Sequence, residues 1–106
     1  MKIFLLVIRC QDIEASKNFY QLLGLSFAQE KHGNGPTHYS CKQDGCVFEL
    51  YPNKGEPPKD NNRLGFKVSS LSSIIKLVSS TESYEFSGNT IYVVTDPDGR
   101  KIEISE

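Results

Sequence analysis

Residues 44–50 read Asp44-Gly45-Cys46-Val47-Phe48-Glu49-Leu50, and 54 positions later residues 98–104 read Asp98-Gly99-Arg100-Lys101-Ile102-Glu103-Ile104. Both follow the pattern Asp-Gly-x-x-apolar-Glu-apolar. An Asp-Gly pair supplies the positive backbone φ angles of a tight hairpin turn, and the residues after it alternate as a strand. Each copy is therefore the last hairpin of a unit that occurs twice.

The elements before each copy are in the same order. In the first half, Ile3 to Ile8 forms an apolar run that we read as a buried strand. Asp12 then caps a helix with Glu14 in its first turn, and Ala15, Phe19, Leu22 and Leu23 recur at helical spacing until Gly24 stops it. Strand-like runs follow at Leu25 to Lys31, Thr37 to Lys42 and Cys46 to Tyr51. The stretch from Pro52 to Asn62 has no apolar period and holds Pro57-Pro58, so it reads as a linker. Beyond it, Leu64, Phe66 and Val68 alternate as a strand. Ser70 caps a helix with apolar face Leu71, Ile74, Ile75 and Val78. Tyr84 to Phe86, Thr90 to Thr95 and Lys101 to Ser105 complete the second set.

The order is βαβββ twice, and the two helix caps, Asp12 and Ser70, stand 58 positions apart. A unit this small cannot cover both faces of its own sheet, so the copies must pack together. We expect one α+β domain over residues 1–106. Module 1 spans about 1–52, the linker 52–62 and module 2 about 63–106. Curved mixed sheets form a shared cleft, with the helices on the outer face.

Composition agrees and removes several function classes. The chain has 106 residues, and 12 basic against 13 acidic residues leave a formal charge of −1. A domain of this length buries about 65% of its unfolded surface. Non-specific nucleic-acid binding needs a basic surplus, which is absent. No apolar run approaches the roughly 20 residues of a membrane span, and the N-terminal run ends at Arg9 with no cleavage site. We expect a cytoplasmic protein that engages neither nucleic acid nor membrane. Cys10, Cys41 and Cys46 are odd in number and lack CxxC spacing, so buried thiols are expected rather than a disulfide. There is no phosphate-binding loop or dinucleotide fingerprint.

Strand alternation assigns the faces. Phe48 and Leu50 oppose Val47, Glu49 and Tyr51; Ile102 and Ile104 oppose Lys101, Glu103 and Ser105. If the apolar faces cover the helices, Glu49 and Glu103 lie on the concave face at matched points. Mid-strand glutamates are unfavourable by propensity, so their repetition points to a polar cleft. Arg63 opposes Leu64 and Phe66 and joins the glutamates; by the repeat its counterpart is Leu5. His38 lies in the third strand, facing either way, and Tyr39 and Tyr51 are further candidates for the cleft wall. His32 falls in a loop.

The segments Asp12-x-x-x-Ser16-x-x-Phe19-Tyr20-x-x-Leu23-Gly24-Leu25 and Asp96-Pro97-Asp98-Gly99-x-x-Ile102-Glu103-Ile104 resemble the vicinal oxygen chelate superfamily. It includes glyoxalase I, extradiol dioxygenases and bleomycin- and fosfomycin-resistance proteins. The resemblance implies the duplicated fold, a homodimer and, in metal-binding members, one ligand from the first and the last strand of each module. Those positions are Leu5, Glu49, Arg63 and Glu103. Leucine cannot ligate and a guanidinium repels a cation, so Glu49 and Glu103 alone remain as ligands and the set argues against a divalent metal. The implied function is a small-molecule-binding protein without an intact four-ligand site. Glu49 and Glu103 are acid–base candidates, and Arg63, His38, Tyr51 and Leu5 are ligand-binding candidates. A polar or cationic ligand would suit such a cleft. The alternatives are a metal-dependent lyase or dioxygenase with altered ligands, a metal-free isomerase using a cleft glutamate as base, and a salt-bridge network with no ligand.

Overall fold

A computed structural model describes residues 1–56, 60–78 and 80–106. Pro57, Pro58 and Lys59 of the linker lie outside the described residues. The elements run β1 (Leu5–Cys10), α1 (Ile13–Leu22), β2 (Ala28–Glu30), β3 (His38–Gln43), β4 (Cys46–Pro52), β5 (Arg63–Lys67), α2 (Leu71–Leu77), β6 (Ser80–Phe86), β7 (Asn89–Thr95) and β8 (Lys101–Ser105). They form two four-stranded mixed sheets, ordered β1-β4-β3-β2 and β5-β8-β7-β6. The βαβββ duplication is present, and the first strand of each module pairs in parallel with the last. No helix among the described residues is long and apolar enough to cross a membrane.

The two hairpins that signalled the repeat differ in construction. The β3–β4 turn places Asp44 at φ 51° and Gly45 at φ 80°, the paired positive angles of a type I′ turn. In module 2 the same two-residue geometry falls at Ser87 and Gly88 (φ 52° and 80°), between β6 and β7. The Asp96–Gly99 turn before β8 is a different object. Asp96 Oδ1 accepts from the backbone N–H groups of Asp98 and Arg100, folding the turn around its own carboxylate.

That turn clasps the modules together. Arg100 is 2% exposed and Asp96 3%. The Arg100 guanidinium donates to Asp96 (3.2 Å), Asp98 (3.4 Å), Asp60 of the linker (2.8 Å) and the Arg9 carbonyl of β1 (2.5 Å). In return the Tyr20 hydroxyl of α1 donates to Asp96 at 2.6 Å, and the Gln11 N–H and Ser16 hydroxyl donate to Asp98. Burial opposes the charge on Arg100, but the bonds and field of Asp96 and Asp60 outweigh it and hold the guanidinium pKa above its ordinary value. Burial, then the bond to Asp96, pushes the Tyr20 phenol up. An aromatic cluster beside the clasp joins Tyr20 and Phe48 of module 1 to Phe66 of module 2, with ring centroids 5.1–5.9 Å apart.

Several expectations are corrected. β1 is an edge strand, half-buried rather than buried: Leu6, Ile8 and Cys10 face inward, while Ile3 and Phe4 are exposed and Leu5 and Val7 face outward. On α1 the buried face is Ser16, Tyr20 and Leu23, and Leu22 is exposed. The stripe is rotated by one position because the Tyr20 and Ser16 hydroxyls find carboxylates inside. Ser70 sits at the N-cap of α2 without capping it: its hydroxyl bonds that of Ser73, and the Leu71 N–H reaches Glu106. β2 is shorter than its apolar run. Asp60, read as part of a solvated linker, is held by Arg100. Cys10 and Cys41 are buried and Cys46 only half-buried; burial pushes the Cys10 thiol up to about 11.

Replacing Arg100 with methionine leaves Asp96 charged and buried without its partner, a loss of about 3–5 kcal/mol. Against a total of roughly 5–15 kcal/mol, that brings the chain close to unfolding. Urea denaturation followed by far-ultraviolet circular dichroism measures the change; a midpoint within error of the parent chain would overturn the role given to the clasp.

Candidate functional site

Register decides which side chains share the concave face. Glu49 is cross-strand from Ser40 and Val7, and Glu30 from His38. Leu5, Val7, Arg9, Glu49, Tyr51, His38 and Glu30 therefore project from one side of the first sheet. Tyr39 projects to the other, buried under α1, where its hydroxyl donates to Glu14. In the second sheet Glu103 is cross-strand from Gly65 and Val93, so Arg63, Glu103 and Tyr84 share the concave side.

The candidates assemble as two groups. In module 2, Arg63 donates to Glu103 at 2.8 Å, and the Tyr84 hydroxyl donates to the other carboxylate oxygen at 2.6 Å. In module 1, His38 is 1% exposed, stacks on Tyr51 with ring centroids 4.1 Å apart, and faces Glu30 at 3.3 Å and Glu49 at 3.7 Å. The Arg9 guanidinium lies 5.0 Å from the centre of the Tyr51 ring, a cation–π contact. Among the described residues no hydrogen bond or ion pair joins Glu49 to Arg63 or Glu103. Two of the three charges expected to meet do so, and the third turns to a histidine. Leu5 is nearly half exposed beside Val47 and contacts neither group.

The bond from Tyr84, then that from Arg63, holds the Glu103 carboxyl below its usual value near 4.5. Tyr84 is shifted the other way, its phenol pKa raised chiefly by the same bond. A general base working near neutrality needs a raised carboxylate. Two neighbouring carboxylates would have supplied that rise; here a guanidinium and a phenol stand beside Glu103 instead. The four positions that the resemblance implies as metal ligands are Leu5, Glu49, Arg63 and Glu103. One side chain without a donor, one fixed cation bonded to Glu103 and two carboxylates in separate groups do not fit a divalent ion.

A cavity of about 550 Å³ opens between β1 and β5, where the modules meet. Leu6, Val7 and Leu64 give it apolar wall; Arg9, Asn53, Asn62 and Arg63 give it polar groups. Its size lies within the usual range for small-molecule sites. Sequence reasoning missed Tyr84, Glu30, Asn53 and Asn62. Tyr84 was detectable: counting back by twos from a Ser87-Gly88 turn places it with Phe86 on the concave face.

Because the folded chain favours charged Glu103, its contribution to stability is complete above about pH 4.5 and lost as pH falls through its lowered value. The unfolding temperatures of the parent chain and of Glu103→Gln should therefore be furthest apart near pH 7 and converge toward about pH 3. A gap independent of pH would contradict the assigned ion pair.

The Glyoxalase/Bleomycin resistance protein/Dioxygenase superfamily model matches residues 2–104. Among solved structures, the chain is similar to SMU.1112c (TM-score 0.78, 21% identity, covering 100% of this chain and 98% of that one). It is also similar to the oxidase ChaP-H2 (0.77, 18%, 99% and 92%) and to a lactoylglutathione lyase from Agrobacterium tumefaciens (0.73, 14%, 99% and 92%). These identities establish a shared fold and no shared reaction. No curated protein sequence matches significantly. With two βαβββ modules joined by the Asp96–Arg100 turn and a family match over almost its whole length, the chain belongs to the Glyoxalase/Bleomycin resistance protein/Dioxygenase superfamily.

Proposed function

We propose that the protein binds a small organic molecule in the cavity between β1 and β5, and that the superfamily's four-ligand metal site is not assembled in it. The observation that carries this reading is Arg63. It lines the cavity while bonded to Glu103, so a fixed positive charge stands at a position where metal-binding relatives place a ligand.

The walls also define the ligand's chemistry. The glutamates turn to their own partners, and Asp60, at the cavity floor, is bonded to Arg100. The charged groups that remain are the guanidinium groups of Arg9 and Arg63, which donate, while the Asn53 and Asn62 amides add neutral polar wall, the Asn53 nitrogen already donating to the Glu56 carbonyl. This moves the expected ligand from a cation to a compound with an apolar body and a hydrogen-bond-accepting or anionic group.

A thermal-shift screen of aromatic acids, glycopeptides and thiol conjugates tests this. A ligand at 100 times its Kd stabilises by about 2.7 kcal/mol. At roughly 4–8 °C per kcal/mol for a domain this size, the midpoint rises by about 10–20 °C. Val7→Trp, which fills the mouth from an exposed position, should remove the shift with the unliganded midpoint retained. Silence across the screen, or unchanged binding by Val7→Trp, would overturn the reading.

We infer also that the chain pairs as a homodimer. Ile3, Phe4 and Leu5 are consecutive exposed apolar residues at the edge of the first sheet, Ile3 and Phe4 70% and 67% exposed. A run of that kind is usually covered by protein. Sedimentation should report twice the chain mass, falling toward the monomer in Phe4→Ser; a monomeric parent chain at high concentration would refute pairing.

A further inference from the structure

The group in module 1 poses a different question from the cavity, because two imidazoles and a carboxylate gather there within ligand-sharing distance. His38 Nδ1 lies 3.2 Å from the Pro36 carbonyl oxygen. A carbonyl only accepts, so Nδ1 carries the proton and donates. The other ring nitrogen, Nε2, is then directed at carboxylate oxygens of Glu30 (3.3 Å) and Glu49 (3.7 Å). A neutral imidazole presents a lone pair there, acceptor against acceptor, in a side chain 1% exposed. A cation between these groups resolves the conflict.

The spacing suits a metal ion. The ligand atoms of Glu30, His32 and His38 all lie within 4.8 Å of one another. The Glu30 oxygen that faces His38 is also 3.6 Å from His32 Nε2. Ligands at about 2.0–2.2 Å around a tetrahedral Zn²⁺ are separated by about 3.3–3.6 Å along each edge. The distances to Glu30 fall in that range, and the Glu49 contact lies just outside it. Support for the ligands is already in place. Tyr51 holds the His38 ring flat, the Pro36 carbonyl holds its Nδ1 proton, and the β2–β3 ladder sets Glu30 opposite His38. His32 is brought back to the group by the loop, where the Gly35 N–H bonds the His32 carbonyl at 2.9 Å.

We propose that Glu30, His32 and His38 form a three-ligand binding site for a divalent transition metal such as Zn²⁺, with the fourth position of the ion left to a ligand from outside the chain. Two imidazoles and one carboxylate select borderline metals over Mg²⁺ and Ca²⁺. The site lies wholly in module 1. Its three ligands come from β2, the following loop and β3, not from the first and last strands that supply ligands in metal-binding relatives. It is independent of the ligand proposed for the cavity, which Arg63 flanks.

Chelator-stripped full chain titrated with Zn²⁺ against a chromogenic competitor should take up one equivalent. With Co²⁺ it should show the visible bands of a four-coordinate ion. His32→Ala and Glu30→Gln, both at accessible positions, should weaken Zn²⁺ binding by more than the 10–100-fold that changes outside the ligand shell cause. His38→Gln should abolish it, while Glu103→Gln leaves Zn²⁺ affinity where it was. Absence of a one-equivalent site, affinity indifferent to His32→Ala and Glu30→Gln, or affinity lost with Glu103→Gln would each overturn the proposal. In the first case a proton on His38, shared between the two carboxylates, is the occupant.

Discussion

The buried ion pair between Arg100 and Asp96 is the constraint around which the two modules are arranged. Taking both groups out of water costs several kcal/mol each, repaid only if nearly every donor and acceptor is used. Here they are: the guanidinium reaches three carboxylates and a backbone carbonyl, and Asp96 takes up Tyr20 and two N–H groups of its own turn. Two of the segments that line the cavity touch this hub, β1 through the Arg9 carbonyl and the linker through Asp60. Moving either of them would leave a buried charge unpaired, so the hub fixes how the edges of β1 and β5 face each other and hence where the cavity lies.

The same constraint explains what was legible in the sequence and what was not. The duplicated hairpin, the element order and the faces of β4 and β8 follow from alternation and turn residues, which are local. Arg63 beside Glu103 was legible too, because strand alternation puts both on the concave face. The rotated face of α1 was not: Tyr20 and Ser16 look like surface residues until the carboxylates 76 and 82 positions away are known. Asp60 was hidden for the same reason. Glu30 and Tyr84 escaped because their partners lie across strands whose register depends on turn geometry in three dimensions. The apolar N-terminal run was misjudged as buried, since hydropathy does not reveal that β1 stands at a sheet edge.

Duplication gave the modules one backbone plan, yet their concave faces carry different chemistry. The glutamate of β4 faces an imidazole and a second carboxylate; the glutamate of β8 faces a guanidinium and a phenol. The first group has a surplus of acceptors, whereas the second is closed and balanced. A symmetric site drawing equally on both halves is therefore not what this chain builds. Fold and repeat are conserved between the halves while the polar groups on them have diverged, as expected when function resides in side chains placed on a common scaffold.

The clasp also bears on how the chain folds. Its contacts to Arg9, Gln11, Ser16 and Tyr20 join residues 76 to 91 positions apart, in a chain of 106. The hairpins close over short loops, and Arg100 and Asp96 pair within their own turn, but the bonds to Arg9, Gln11, Ser16 and Tyr20 form only once both modules are present and aligned. Contacts of such long sequence separation slow folding, because chain entropy is lost before they form. Docking of module 1 takes these charged groups out of water, so the cost of dehydrating the clasp is tied to the meeting of the two modules.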